Sequence, residues 1–425
     1  MARSMINKTL YNAALWSISL AVFSCQPQTP VSDANGNLKV MIPVVAQNLS
    51  NDSSQLETVT LKNISSLKDV SGSYVQFYYA PGGEAGALTG SAPQSRFIRT
   101  SKDVYVPSDS ITQQMFSLYY HIQNLNDFNA EISPELKQTQ PFQIGLNTQV
   151  SGNATTGSNN AFFDGESKAL LFVPYTLNNI PISVNSGIIA HEFFHSIFFK
   201  HVLSEFNIRQ ESIMQASSDK KLASKVFYFN QTYIRGLNEG IADFWGWLYT
   251  NNTNYISISL PKFGDDRKLE LADNLVGQIE TAGDIEDRVI EAQDLSNNPT
   301  EYLSSYIYHV GTPHARFLKA LTQKIITENK SAKGASSAKI TMAKAIYAYL
   351  KMLSVKTSAY KSTDIVAADD LFKFFAQPKL SGLTLSVDQC DFVLKYVDTK
   401  DKSLKSNLCQ VTPVVADNKT DGKNE

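Results

Sequence analysis

Two histidines and a glutamate in one short apolar segment are the residues of this chain best suited to do chemistry. His191, Glu192 and His195 lie in the apolar run 186–199. Each residue of a helix turns the chain by about 100°, so the imidazoles at i and i+4 face the same side. A chance pair of core histidines is disfavoured, because such groups are costly in an apolar helix without a partner. The spacing predicts a peptidase-type zinc site with Glu192 as general base.

A catalytic zinc ion usually takes a third protein ligand, and two residues compete for that role. His201 follows His195 by six residues, the spacing of H-E-x-x-H-x-x-G-x-x-H, but Phe198 occupies the glycine position. Continued as a helix, the chain would turn His201 away from the metal and towards solvent. Glu239 and Asp243 share one face of a second apolar helix, where carboxylates need a cation unless that face is exposed. We expect Glu239 to bind the metal and Asp243 to accept the other ring N–H of a ligand histidine.

The elements that must position these residues change character along the chain. Residues 38–106 are rich in β-branched and aromatic residues with turn signals, which indicates strands. Apolar residues then recur at helical spacing, and we expect this stripe to be core while His121, which lies off it, is at the surface; its members are Met115, Leu118, Ile122 and Leu125. The later chain is mainly helical, with an interruption expected at Pro313. This order predicts an α+β protein with a β-rich N-terminal part and a mainly helical C-terminal part. The predicted divisions are 26–106 (β-rich), 107–205 (first zinc helix), 206–415 (mainly helical) and 416–425 (disordered tail).

The N-terminus and the cysteines indicate export. Residues 1–25 have the basic start and short apolar core of a secretory signal, which ends in a lipobox-like stretch at Cys25. We expect a lipid anchor at Cys25 and an outer-membrane lipoprotein facing the periplasm or the cell surface, the alternatives being an uncleaved anchor or a conventional signal. The remaining pair, Cys390 and Cys409, would form a disulfide. A net charge of −2 gives no indication of nucleic-acid binding.

Three segments together resemble the gluzincin metallopeptidases of the thermolysin and fungalysin families. They are the helix with His191 and His195, the segment 237–246 with Glu239 in an N-E-x-x-x-D pattern, and the segment 159–165, which resembles N-N-A-x-W-x-G. The resemblance covers about 109–316, although the two zinc helices are further apart than in thermolysin-like enzymes. It implies a zincin-type fold of two subdomains with the active-site cleft between them. It also implies that Asn160 and the main chain of Ala161 hold a peptide substrate by β-strand addition.

The resemblance also implies a donor for the developing oxyanion. Tyr308 fits a Y-x-x-G element used by some gluzincins. Thermolysin-like enzymes instead use a histidine after the second helix, which would make His309, or His314 behind it, the donor.

Calcium could bind the acidic stretch 262–300, but no EF-hand pattern supports it. The predicted function is zinc-dependent hydrolysis of peptide bonds. The alternative is a catalytically silent zincin-fold lipoprotein that acts in binding.

Overall fold

The computed structural model describes residues 36–45, 54–84, 87–149, 157–270, 275–329, 331–397 and 408–409. The strands within them are β1 (Leu38–Val45), β2 (Ser54–Leu61), β3 (Ile64–Ser66), β4 (Ser71–Gly72), β5 (Val75–Glu84), β6 (Ala87–Ser91), β7 (Phe97–Arg99), β8 (Tyr105–Pro107), β9 (Phe142–Leu146), β10 (Ala161–Asp164) and β11 (Ala169–Phe172). The first four helices are α1 (Ser110–Ile132), α2 (Ser186–Phe198), α3 (Ser204–Ala216) and α4 (Lys220–Thr250).

The remaining helices follow in the C-terminal part. They are α5 (Tyr255–Ser259), α6 (Pro261–Gly264), α7 (Ala282–Leu295), α8 (Pro299–Tyr302), α9 (Tyr306–Asn329), α10 (Ala332–Ser358), α11 (Asp370–Phe375), α12 (Pro378–Ser381) and α13 (Val387–Leu394). A β-rich N-terminal part thus precedes a mainly helical C-terminal part. The predicted α+β class and this arrangement are confirmed, whereas the predicted domain boundaries stay predictions.

The strands form a four-stranded sheet of order β2-β1-β8-β7, a five-stranded sheet of order β10-β11-β9-β5-β6 and the small pair β3-β4. In the five-stranded sheet β11, β9 and β5 run parallel to one another, and β10 pairs antiparallel with β11. All four residues of β11 are buried, as expected for an inner strand that is a continuous apolar run. The strand β10 is therefore an edge strand with one unpaired side.

The helix α1 packs one apolar stripe into the main core. Its N-cap is Asp109, whose carboxylate accepts the Thr112 N–H at 2.7 Å. The predicted core positions on this helix are confirmed: Met115, Leu118, Ile122 and Leu125 are each 0% exposed. His121, which lies off that stripe and was predicted to be a surface residue, is buried instead, with Nδ1 3.0 Å from the Tyr249 hydroxyl. The reason is that α4 covers this second side of α1.

Glycines allow α4 and α9 to cross with their backbones in contact. A Cβ at Gly240 would lie 2.2 Å from the Gly311 carbonyl oxygen, and one at Gly311 would lie 2.4 Å from the carbonyl oxygen of Gly236. The helix α9 continues through Pro313, so the predicted interruption there is wrong. Packing of α9 against α4 offsets the backbone hydrogen bond that proline cannot make. This crossing brings the first turn of α9 beside the middle of α4, where the predicted metal ligand lies.

Candidate metal centre and cleft

The helix α2 presents both motif histidines on one buried face. Its N-cap is Asn185, whose side-chain oxygen accepts from the Gly187 and Ile188 N–H groups. The Nε2 atoms of His191 and His195 lie 3.0 Å apart. The Asn185 amide also donates to Ser259 Oγ at 2.9 Å, which fixes the start of α2 against α5. The helix therefore holds two imidazole nitrogens close together at a set position.

Glu239 on α4 completes a cluster that fits a metal ion. Its Oε2 lies 3.5 Å from His191 Nε2, and its Oε1 lies 3.7 Å from His195 Nε2. One ligand atom from each of these three residues lies within 4.8 Å of the other two. Two nitrogens and one carboxylate oxygen form the donor set of many catalytic zinc sites. The residues present fit zinc in number, type and convergence.

The other ring nitrogens of the two histidines face oxygen acceptors on α4. His195 Nδ1 lies 2.9 Å from Asn238 Oδ1. His191 Nδ1 lies 3.0 Å from Asp243 Oδ1, without the alignment of a full hydrogen bond. An acceptor beside Nδ1 favours the tautomer with hydrogen on that atom, which leaves Nε2 free to bind a metal. Both rings are thus oriented with Nε2 towards Glu239.

A residue that the sequence analysis missed, Arg267, lies against this cluster. Its side chain is 15% exposed, and its guanidinium donates two hydrogen bonds to Asp243, of 2.6 and 3.1 Å. It is also 3.6 Å from Glu239 Oε2 and lies over the Tyr308 ring, 4.4 Å from its centroid. In the sequence Arg267 lies in a short run of mixed charges that is typical of a solvated surface. One feature of the sequence indicated a cation near this place, because two carboxylates on an apolar face of α4 need one. Zinc and a ligand imidazole were expected to supply that positive charge.

The two glutamates of the cluster have opposite electrostatic environments. Burial and the nearby Glu239 raise the pKa of Glu192 to about 7, although His191 and Arg267 oppose that rise. Burial also acts to raise the pKa of Glu239, but His195, His191 and Arg267 outweigh it and hold that pKa below its usual range. Glu192 can therefore exchange a proton near neutral pH, whereas Glu239 stays ionised. Such a separation of two carboxylates marks acid–base sites.

The two imidazoles also differ in their affinity for a proton. Burial acts to lower the pKa of His191, but its contacts with Asp243 and Glu239 outweigh burial and raise that pKa to about 9. Burial lowers the pKa of His195 to about 4, because the attraction of Glu239 is too weak to offset it. A cation at the cluster would take the place of the proton that His191 holds.

The cluster opens into a cavity of about 400 Å³ that is bordered by the edge strand β10. Asn160 and Ala161 both line it, as the resemblance implies, together with Glu192 and Tyr308. The Val173 N–H donates to the Asn160 carbonyl oxygen at 3.1 Å, so Asn160 faces β11. In an antiparallel ladder the next residue faces the other way, so the Ala161 main chain points to the open edge.

A second groove, of about 900 Å³, continues from one end of this cavity. The two spaces share Asn160, Leu260, Arg267 and Tyr308. The opposite end of the first cavity is lined by Gly165, Phe199 and residues of α3 and α4. Space is therefore available on both sides of the metal cluster.

The three candidates for an oxyanion donor lie in different places. Tyr308 lines the metal cavity, and its pKa is raised by the charge of Glu239 and by burial, so the phenol keeps its proton. His309 lines the outer groove and a smaller acidic cavity beside it, but not the metal cavity, and it lies against the Tyr306 ring. His314 is fully buried, with Nδ1 2.7 Å from the Val310 carbonyl oxygen. Only the first of the three is adjacent to the cluster.

His201 lies outside the cluster, as expected, but not in open solvent. It is half-buried in a π-helical turn that spans Phe199–Leu203, and its ring lies 5.1 Å from that of Tyr347. The helix direction continues through this turn into α3, so the chain does not swing the third histidine back towards the metal. Packing against α10 explains why this side chain is covered.

The remaining predicted sites concern the cysteines, calcium and the membrane. Cys390 and Cys409 are joined by a disulfide, with their Cα atoms 5.9 Å apart. Cys25 lies outside the described residues, so the predicted lipidation and export stay predictions. Among the described residues, no helix is long and apolar enough to span a membrane. Within the same residues the only group suited to a metal is the cluster above, and nothing supports calcium.

Residues 84–223 match the model of a family described as dual-action HEIGH metallo-peptidases. No curated protein matches the chain. The matched segment is about a third of the chain; it contains α2 and ends before Glu239. The letters HEIGH in the family description spell His-Glu-Ile-Gly-His in one-letter code, whereas this chain has Phe193 and Phe194 at the third and fourth positions. Both phenylalanine side chains are buried in the core. The match and the His191, His195 and Glu239 cluster support a zinc-dependent metallopeptidase.

Proposed function

We propose that this chain is a gluzincin-type peptidase in which His191, His195 and Glu239 hold zinc and Glu192 is the general base. One observation carries the proposal: the three ligand atoms converge within 4.8 Å beside the Glu192 carboxylate. Glu192 has no role in holding the metal, so a site made only for binding would not need it. A bound zinc ion supplies Lewis acidity, which polarises a scissile carbonyl and acidifies water.

The Glu192 carboxylate is placed to move the proton. Its Oε1 lies 3.9 Å from His191 Nε2, at the rim of the space where the ligands converge. A carboxylate at this place can take a proton from the attacking water and give it to the leaving amine. The water oxygen then bonds to the carbonyl carbon, the C–N bond breaks, and the amine nitrogen carries the transferred proton.

Tyr308 is the proposed donor to the developing oxyanion. Its hydroxyl keeps its proton, and its ring is held under the Arg267 guanidinium at 4.4 Å. Arg267 is bound to Asp243 and so holds the tyrosine relative to the ligand helix. A protonated phenol at the cavity wall can stabilise charge that develops on the carbonyl oxygen.

The substrate is proposed to be an extended peptide added to the open edge of β10. The main chain of Ala161 faces that edge, and Asn160 marks the end at which the outer groove begins. Strand addition holds a peptide through its backbone and leaves its side chains to neighbouring pockets. Space on both sides of the cluster favours cleavage within a chain over removal of a terminal residue.

Glu192→Gln tests the proposal directly. The variant should bind zinc as tightly as the wild-type chain and lose at least about a thousandfold in kcat, because the amide cannot take a proton. Glu205→Gln, an exposed change on α3, is the matched control and should cleave normally. Undiminished cleavage by a zinc-loaded Glu192→Gln chain would overturn the assignment of the base.

Export with a lipid on Cys25 remains a proposal that rests on residues 1–25 alone. It would place the peptidase on an envelope membrane, where protein substrates are accessible. The mass of the mature N-terminal peptide decides it, since an unmodified Cys25 would contradict lipidation.

A further inference from the structure

An arginine that lines the metal cavity has no counter-ion among the residues that the structure describes. Arg235 lies on α4 one turn before Glu239, and it is half-buried in the cavity wall. Within the part of the chain that the structure describes, it has no ion-pair or hydrogen-bond partner. The other cavity arginine, Arg267, is in contrast fully engaged by Asp243. Arg235 therefore presents a cationic group to whatever fills this end of the cavity.

The surroundings of Arg235 favour an anionic group from outside. The neighbouring amides are paired with each other, because Gln231 Nε2 donates to Asn207 Oδ1 at 3.1 Å. The same end of the cavity has apolar walls from Phe199 and Leu203. A guanidinium carries five donors in a planar fork that matches a carboxylate, and partial burial strengthens that contact.

The distance from the metal cluster limits which substrate residue can reach this arginine. Four residues of helix rise about 6 Å, so Arg235 lies about that far along α4 from Glu239. An extended peptide advances about 3.3 Å per residue. A side chain within about three residues of the scissile bond can therefore reach the guanidinium.

The direction of the edge strand decides on which side of the scissile bond that residue lies. Arg235 shares its end of the cavity with Gly165, which follows β10, whereas Asn160, before β10, adjoins the outer groove. A peptide that pairs antiparallel with β10 places its N-terminal residues beside Gly165. Antiparallel addition thus directs the N-terminal side of the substrate to Arg235.

We propose that Arg235 is a specificity residue that binds a substrate Asp or Glu side chain within three residues on the N-terminal side of the scissile bond. This inference rests on the proposed peptidase function, because it assigns a substrate class to the same site. Peptides with a carboxylate there are favoured, and peptides with a lysine there are disfavoured.

The test uses quenched peptides cut at a single bond, with Glu, Gln or Lys at each of the three positions before that bond. A second set carries Glu or Gln at each of the three positions after it, and the inference concerns the three positions before the bond. At one position the full-length, zinc-loaded chain should prefer Glu to Gln by about tenfold in kcat/KM, as expected for a charge-assisted contact in a half-buried site. Arg235→Gln should reduce that ratio to about one, and Arg235→Glu should reverse it in favour of a Lys peptide. Arg209→Gln, an exposed change on α3, should leave the ratio as in the wild-type chain.

A binding measurement separates failure of this inference from failure of the proposed function. Fluorescence anisotropy with the zinc-loaded Glu192→Gln chain measures affinity for the same peptides without turnover. Equal affinity for the Glu and Gln peptides at all three positions overturns the role of Arg235, whether or not the wild-type chain cleaves them. A preference for Glu that Arg235→Gln abolishes supports it, even if cleavage is absent and the peptidase proposal has failed. A preference confined to the C-terminal side of the bond overturns it as well.

Discussion

Asp243 is the most deeply buried carboxylate of the site, and it both orients His191 and neutralises Arg267. The variant Asp243→Asn tests these two roles separately. The Asp243 side chain is 1% exposed and contacts His191 Nδ1 at 3.0 Å, Arg267 at 2.6 Å and the Tyr255 hydroxyl at 3.1 Å. Asparagine keeps the shape but loses the charge, and its amide N–H groups must face a donor, either the guanidinium or the imidazole. Both the orientation of the histidine and the neutralisation of the arginine are affected.

The two effects have different sizes. Loss of the partner that orients a metal-binding histidine costs about 10- to 100-fold in metal affinity, or about 1.4–2.7 kcal/mol. Loss of the closer counter-ion of Arg267, whose side chain is 15% exposed, leaves it only Glu239, 3.6 Å away, and costs about 3 kcal/mol of folding stability in the metal-free chain, the low end for breaking a buried ion pair. The variant should thus fall further in stability than in zinc affinity.

Competition with a chromophoric chelator measures the zinc affinity, and urea unfolding followed by tryptophan fluorescence measures the stability. Asp287→Asn, an exposed change on α7, is the matched control for loss of one negative charge. Adding Arg267→Gln to Asp243→Asn removes the stranded cation, so it should recover part of the stability but not the zinc affinity. A folded Asp243→Asn chain whose zinc affinity is within twofold of wild type would refute the reasoning.

Three further predictions follow from buried groups and close contacts. Burial lowers the pKa of His121 from 6.5 to about 4, so the stability due to its neutral ring is present above pH 6.5 and is lost, by up to about 3 kcal/mol, as pH falls through 4. In urea unfolding at a series of pH values, His121→Gln should reduce this dependence of stability on pH. An unchanged dependence would contradict the prediction. Gly240→Ala should cost about 1–3 kcal/mol in the same assay, because its Cβ would lie 2.2 Å from Gly311, whereas Gly283→Ala, with a nearest contact of 3.6 Å, should not destabilise the chain. Tyr308→Phe should lower kcat about 100-fold with little change in KM, and an effect on KM alone would argue against an oxyanion donor.

The ligand cluster could be predicted from the sequence because each part of it depends on the spacing of residues within one helix. Helical periodicity alone places His191 and His195 on one face, and a second pair of carboxylates on an apolar helix requires a cation nearby. The structure brings these residues together as that reasoning expects. The match to a metallopeptidase family supports the same chemistry from an independent direction.

The parts that could not be predicted depend on packing between distant elements. Arg267 reaches the site because the short segment after α6 places it against Asp243 of α4, and no periodicity in the sequence carries that information. His121 was placed at the surface because its own helix shows it off the apolar stripe, whereas α4 buries it. The choice among Tyr308 and its two competitors likewise depends on how α9 crosses α4, which the glycines of both helices determine.

The most direct test of the central claim is cleavage of a quenched-peptide library by the full-length chain, before and after chelation and zinc restoration. We expect cleavage to disappear with the chelator and to return when about one zinc ion is bound per chain, as three ligands around one position require. Undiminished cleavage by the metal-free chain would contradict the account, as would a chain that binds no zinc at His191, His195 and Glu239.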